Sequence, residues 1–325
     1  RSNPTPGAMM SGVSDPRRDL VLGFGLPVSG SWATPGTIAA VARRAEELGY
    51  GSLWTFQRVL VPAEEDYGAQ YRAVLDPVVA LGFAAAVTEQ PRLGVAVLNA
   101  PYVPAAILAK QLATVDVLCR GRLDVGIGSG WAPHEFAAVG ATFARRGAQT
   151  AEYVAALRAL WADDPVEFHG EFTDVPPARM LPKPVQRPAP PILLGGSADV
   201  ALRRVGRIAD GWISASRHDL RAISDSIGTI HAAATAAGRD PAALRAVVRG
   251  VVGLGDEVHD DAGRRPLTGS AEAIRDDLGR LHETGVTEVF LDLNFVPHVG
   301  SPDIDPISAD AYAHEVLESF APGRS

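Results

Sequence analysis

The chain reads as a single (β/α)8 barrel of the TIM type with loop insertions, and three observations predict it. From Leu20 onward, short β-rich runs alternate with amphipathic stretches of helical length. Strands interleaved with helices imply parallel βαβ units. Eight strand-like runs occur; eight suit closure into a barrel, where five or six would suit an open sheet. The length of 325 residues fits one barrel with insertions, and no linker separates two cores.

The elements follow in order. Leu20–Leu26 (LVLGFGL) is a buried strand ending at Pro27. Thr37–Leu48 places Ile38, Val41, Ala45 and Leu48 on one helical face, and Gly49 ends it. Ser52–Phe56 is the second strand. Asp76–Thr88 is a helix whose Asp76-Pro77 pair suits an N-cap and first turn. Arg92–Leu98 is the third strand, Pro104–Val117 a helix, and Arg122–Ile127 the fourth strand. Ala151–Trp161 is a helix, followed by a Pro-rich stretch from Pro165 to Pro191. Most such stretches are surface loops; the length of Val175–Pro191 makes it an insertion able to lie over one end of the barrel and help wall its pocket. Pro191–Leu194 is the fifth strand, Val200–Ala209 a helix, Gly211–Ser214 the sixth strand, and Leu220–Ala237 a helix. Leu244–Leu254 carries the seventh strand, Ala271–Thr284 a helix, and Val289–Leu293 the eighth strand.

Composition narrows the function. The hydrophobic share of 46% and charged share of 21% are those of a globular protein. A net charge of −8 argues against nucleic acid as a partner. No run approaches the roughly 18 apolar residues of a membrane span. Cys119 is the only cysteine, which excludes a disulfide framework and a cysteine-built metal site and fits a reducing cytoplasm. Residues 1–18, rich in Ser, Pro and Gly, are expected to form a disordered tail without the apolar core of a signal peptide. The residues ahead of Met9-Met10 read as a cloning remnant, and 19–325 as the barrel.

Active sites of such barrels lie at the carboxyl ends of the strands. That selects Pro27, Phe56-Gln57-Arg58, Asn99, Gly128-Ser129-Gly130-Trp131, Gly195-Gly196-Ser197, Ser214–His218 and Asn294. The run GIGSGW (Gly126–Trp131) lacks the G-x-G-x-x-G spacing and reads first as a tight turn after a strand. ILLGGSADVALRRVG is more specific. A buried strand meets Gly195-Gly196-Ser197 and a helix starts at once, so bared N–H groups form either an anion site or a plain helix cap. Arg217 is placed to add a charge-assisted contact. No nucleophile motif and no H-x-x-x-H spacing occur, so hydrolase and metal readings lack support and no metal ligands are assigned. His134 lies after the fourth strand, in reach of the pocket or in a structural role. Arg145-Arg146 is either a solvated pair or a contact to an anionic cofactor tail. Trp54, Trp131 and Trp212 are either walls for a flat ring or core. With few acid–base groups at the rim, the hard chemistry falls to a cofactor that the protein positions.

The ordered segments LGFGLP, AEELGYGSLW, RLGVAVLNAPYVPAAILAKQLATVDVLCRGRLDVGIGSGW and PPILLGGSADVALRRVGRIADGWI resemble the bacterial luciferase-like monooxygenase superfamily. They look closest to its branch of oxidoreductases using the deazaflavin coenzyme F420. The resemblance runs from about Leu20 to Phe320. Its most specific pieces are Ala109–Trp131 and Gly195-Gly196 followed by Asp210–Trp212. It implies a ring pocket at the carboxyl end, a non-prolyl cis peptide at Ala96–Val97, and a ring contact at Asn99. It further implies a turn beside the ring at Gly128, Ser129 and Gly130, and a phosphate cradle at Gly195, Gly196 and Ser197. Arg217 and His218 stand where related proteins put a basic residue near the phosphate, and a homodimer is implied.

Two departures matter. Sugar-phosphate dehydrogenases of this branch carry Asp-His after the second strand and Glu after the glycine turn; here Gln57-Arg58 and Trp131 stand there. That chemistry is therefore not expected. The expectation is hydride transfer between F420 and a small organic substrate, with His134 as proton donor and Gln57 or Arg58 orienting the substrate. An FMN-dependent monooxygenase using oxygen and a non-catalytic F420-binding protein are the alternatives. The substrate is not readable.

Overall fold

The computed structural model describes residues 20–162 and 164–322; the expected tail at 1–18 lies outside the described residues. Among them, eight parallel strands close a barrel. These are β1 (Val21–Gly25), β2 (Ser52–Thr55), β3 (Arg92–Asn99), β4 (Leu123–Gly128), β5 (Ile192–Gly195), β6 (Gly211–Ile213), β7 (Arg245–Val251) and β8 (Glu288–Asp292). Each pairs with its sequence neighbour, and β8 closes on β1 with Gly23 beside Phe290. The (β/α)8 barrel expected from alternation is the fold.

Nine helices are described: α1 (Pro35–Glu47), α2 (Pro77–Val87), α3 (Ala105–Leu118), α4 (Pro133–Ala138), α5 (Arg146–Ala162), α6 (Asp199–Ile208), α7 (Ile223–Ala236), α8 (Ala271–Glu283) and α9 (Pro306–Ser319). Local chemistry sets their starts, at Asp76-Pro77 as expected. The Asp76 side chain accepts from the N–H of Val78 and Val79 ahead of Pro77, and Asp305 does the same for Ser308 ahead of Pro306. None of the described helices is long and apolar enough to cross a membrane.

Helices α4 and α9 were not read from the sequence, and three further features differ from that reading. Helix α5 begins at Arg146 rather than Ala151. The seventh strand stops at Val251, and Gly253–Leu254 pairs instead with Thr268–Gly269. The Pro-rich stretch holds an antiparallel hairpin, Val166–His169 with Asp174–Ala178. Pro176 and Pro177 are tolerated there because a two-stranded ribbon is all edge.

The insertion's course also corrects the expectation that it walls the pocket. Its return leg is tied to the amino end of the barrel, where the Asp116 carboxylate accepts from the N–H of Val185 and Gln186. The Gln186 amide donates to the Leu123 carbonyl at the start of β4. Only the hairpin tip climbs the outside of α5, its Glu171, Phe172 and Thr173 N–H groups donating to Glu152.

Inside the barrel the residues are layered. At the amino end, fully buried Asp124 on β4 meets Arg92 on β3 at 2.6 Å and Arg245 on β7 at 2.9 Å. Arg245 also reaches Glu288 on β8 at 2.7 Å. Glu288 in turn accepts from Ser52 and from the Trp54 indole. Above lies an apolar plug of Trp54, Ala96, Leu193, Ile213, Val247 and Phe290.

Burial alone would raise the Asp124 carboxyl, but hydrogen bonds from Arg92 and the charge of Arg245 hold it below the usual carboxylate range. A folded-state pKa below the unfolded one stabilises the protein above about pH 4 and loses that contribution as pH falls through the folded value. Resistance to urea unfolding should therefore fall on acidification below about pH 4. Asp124→Asn should cost on the order of 3 kcal/mol at pH 7 and flatten this acid limb; an unchanged limb would show that the cluster is energetically idle.

Candidate functional site

A cavity of about 600 Å³ opens at the carboxyl ends of the strands. Its lining includes Phe56, Gln57 and Arg58 after β2, Ala96, Val97 and Asn99 on β3, and Gly128 through Trp131 at β4. Gly195 through Ala198 follow β5, Ser214 through Ser216 follow β6, and Arg249 and Phe295 come from β7 and the segment after β8. Among the described residues no carboxylate and no histidine lines it, yet five arginines do: Arg58, Arg145, Arg146, Arg204 and Arg249.

The floor is a backbone feature. The Ala96–Val97 peptide bond is cis, at the position the resemblance implies, and the β3–β4 register shifts between Val95 and Leu98. Val97 leans over the next strand so closely that a Cβ on Gly128 would stand 2.6 Å from its Cγ2. The Arg249 Nη2 donates to the Ala96 carbonyl oxygen. Asn99 donates its N–H to Gln57 Oε1 at 2.8 Å, leaving the Gln57 amide NH2 free of any partner among the described residues.

One end of the cavity gathers uncapped backbone N–H groups and guanidiniums. The turn at Gly196 (φ +143°) is held by the Trp212 indole, which donates to the Gly196 carbonyl at 2.8 Å. Helix α6 then starts with Ala198 at its N-cap, so no side chain occupies its first N–H groups. Helix α5 brings Arg146 and Gly147 to the same end, and Arg204 lies over Gly147. Burial, then the charge of Arg207, pushes the Arg204 guanidinium below its usual range. Among the described residues neither Arg146 nor Arg204 pairs with a carboxylate. Arg145 pairs with Glu171 at the hairpin tip (Nη2–Oε2 2.8 Å) and stacks on Phe172.

The other end is aromatic and buried. Arg58 is sandwiched between Tyr71 (4.6 Å to the ring centroid) and Trp131 (4.7 Å). Its Nη1 meets Glu135 Oε2 at 2.7 Å, with both side chains almost wholly buried. Glu135 also accepts from the Val59 N–H and the Tyr102 hydroxyl.

Of the residues singled out from the sequence, Gln57, Arg58, Ala96, Val97, Asn99, Gly128, Ser129, Gly130, Gly195, Gly196 and Ser197 meet in this one cavity. His134, Arg217 and His218 do not. His134 sits exposed on α4 while its neighbour Glu135 turns inward. Arg217 is exposed, and His218 lies 3.1 Å from Ser226 Oγ against Trp212, its pKa lowered by burial. Arg146 and Arg204 stand where Arg217 was expected. Asn294 also turns away, bridging Asp292 and the backbone at Leu26, Val28 and Ser29. Of the three tryptophans, Trp131 walls the cavity, while Trp54 and Trp212 are core. Arg249, Arg204, Tyr71 and Phe295 went unnoticed in the sequence, whereas Glu135 was legible beside His134 as a residue in reach of the pocket. Arg249 had one signal, an arginine in the middle of the otherwise apolar run from Ala246 to Leu254.

A family model described as luciferase-like monooxygenase matches residues 21–264. An uncharacterized protein of Mycobacterium tuberculosis is 35% identical over 216 residues, 63% of this chain and 76% of that protein. The FMNH2-dependent dimethylsulfone monooxygenase of Pseudomonas putida is 36% identical over 156 residues, 47% of this chain and 42% of that one. An F420-dependent secondary alcohol dehydrogenase, solved with an F420–acetone adduct, superposes with a TM-score of 0.75 at 19% identity. It covers 93% of this chain and 99% of its own, a likeness of fold alone.

Because Arg58 and Glu135 are both removed from water, breaking the pair strands a charge. Glu135→Gln should cost about 3 kcal/mol by denaturant unfolding. The double variant R58M/E135Q should recover most of that loss, since no buried charge is then left over. Equal losses in the single and double variants would show that the ion pair is not the source.

Proposed function

The chain belongs to the luciferase-like monooxygenase family, and from that premise we propose that it is an oxidoreductase working through coenzyme F420 on a small organic substrate. One observation carries the reading: the unpaired Arg146 and Arg204, beside Arg145 with its Glu171 partner, converge with the N-termini of α5 and α6 on a cavity that no carboxylate among the described residues lines. First-turn N–H groups and guanidiniums together select a phosphorylated tail. The F420 side chain carries a phosphodiester and further carboxylates, which suits three guanidiniums better than the single phosphate of FMN. Bound there, the reduced deazaflavin would supply a hydride.

The residues of the chain account for the rest. Gly195, Gly196 and Ser197 bring backbone to the phosphate, and Arg146 and Arg204 neutralise it. Val97, Gly128 and Gly130 form the platform for the ring, and Asn99 borders it. Gln57 offers its free amide to a substrate oxygen, and Tyr71 offers the cavity a phenolic proton in place of exposed His134.

A second reading, oxygenation with reduced FMN, has its own support. The lining lacks His, Asp and Glu, and the Pseudomonas relative named for that chemistry is similar in sequence rather than in fold alone.

Titration with F420 and with FMN, each followed by ring fluorescence, separates the two. Binding of F420 is expected, with Arg204→Gln weakening it about tenfold, the worth of one charge-assisted hydrogen bond. FMN binding alone would favour the monooxygenase, tight F420 binding without turnover a carrier, and binding of neither would sink the assignment.

A further inference from the structure

Across the barrel from the phosphate end, one continuous aromatic wall joins two buried arginines. Phe56, Tyr71 and Phe295 contact one another, with centroids 5.0–6.3 Å apart. Arg58 stacks on Tyr71 and Trp131 at one side. Arg249 lies over Phe295 (4.8 Å) and Phe56 (5.6 Å) at the other.

These two arginines differ from the structural arginines of the same protein. Arg122 donates to carbonyls at Cys119, Pro91 and Thr88, Arg239 to those at Gly206 and Ala209, and Arg245 joins Asp124 and Glu288. Arg58 and Arg249 are more deeply buried, yet less satisfied. Arg58 spends Nη1 on Glu135, and Arg249 spends Nη2 on the Ala96 carbonyl. The Nε of each is buried without a hydrogen-bond partner among the described residues. Nη2 of Arg58 and Nη1 of Arg249 have no partner among the described residues, and both side chains line the cavity.

Their charges are not equally answered. Glu135 neutralises Arg58 at 2.7 Å. Asp292 stands 3.5 Å from the Arg249 Nε without making a hydrogen bond, and its other oxygen is committed to Asn294. Buried charge without a close counter-charge is costly, and such arginines bind carboxylates readily. Burial also pushes the Arg249 guanidinium below its usual range, a shift that an anion would reverse.

We propose that this wall is the substrate subsite and that it takes a planar apolar body bearing a carboxylate, with the carboxylate held by Arg58 and Arg249 and the body lying on Phe56, Tyr71 and Phe295. The subsite rests on the reading above, in which the cofactor tail fills the other end of the cavity. Arg58 and Arg249 are binding residues here, and the aromatic rings set specificity.

The test uses benzoate, benzamide and acetate as probes, titrated calorimetrically into the full chain with and without F420 or FMN. Benzoate should bind at least tenfold tighter than either of the others, benzamide lacking the charge and acetate the apolar body. Arg249→Met should bring benzoate and benzamide within about twofold of each other. If that variant fails to fold, Arg249→Lys, which keeps the charge but not the planar fork, should narrow the gap at least threefold. Equal binding of benzoate and benzamide to the parent chain overturns the proposal without any variant. So does loss of the preference in Arg204→Gln but not in Arg249→Met, because the carboxylate would then sit at the phosphate end. Failure of the cofactor reading looks different: neither F420 nor FMN binds while the benzoate preference persists.

Discussion

Asp124, with no exposure to water, meets guanidiniums from β3 and β7 across the lumen of the barrel. A carboxylate so placed is tolerable only if the attraction is well aligned and its remaining acceptor sites are filled. Here the alignment propagates. Arg245 shares its second face with Glu288, and Glu288 fixes the Trp54 indole. Trp54 stacks on Phe290 at 5.2 Å, so the ion layer sets the geometry of the plug above it. The plug has no slack, because a Cβ on Gly94 would fall 2.4 Å from the Trp54 ring. One electrostatic closure thus decides how the next layer packs and where the floor of the cavity lies.

Above the plug the pattern of compensation changes. Arg58 is neutralised, Arg249 only loosely, and Arg146 and Arg204 not at all among the described residues. The chain as a whole carries a charge of −8, so this concentration of guanidiniums runs against its average. In a concave, partly dry space such charges are little screened and focus their field on whatever enters. Stability and binding are therefore placed at opposite ends of the same lumen: charge is closed at the amino end and left open at the carboxyl end.

The barrel was legible because its signal is periodic and repeated: alternation survives errors of a few residues at any boundary. The place of Gly195 and Gly196 in the cavity lining was legible because a strand, a Gly pair and a helix start are contiguous in sequence. What the sequence hid was contact between distant segments. Glu135 and His134 are neighbours on α4, and only the packing of Phe136 against Tyr102 and Phe143 decides which of them turns inward. Arg204 sits a full helical turn after the glycine turn, and its place in the cavity depends on how α6 meets Gly147 of α5. The hairpin in the Pro-rich stretch was hidden for another reason: composition reports loops, while the Glu152 carboxylate that organises its tip lies on a different element.

The proton inventory limits the chemistry further. Guanidiniums do not release protons near neutral pH, so the five arginines of the lining can orient and neutralise but cannot act as general acids or bases. The remaining side-chain donors are the amides of Gln57 and Asn99, the Trp131 indole, a phenol at Tyr71 and the hydroxyls of the Ser129, Ser197, Ser214 and Ser216 side chains. None of these is a strong base, and none stands beside an activating carboxylate in the lining. Chemistry that must draw a proton from an unactivated carbon is therefore poorly served. Chemistry in which a bound group supplies the electrons, and the protein holds two anions in register across a flat platform, is well served. Under the proposed reading either ring system meets these requirements, and the identity of the reaction turns on what occupies the guanidinium-rich end of the cavity.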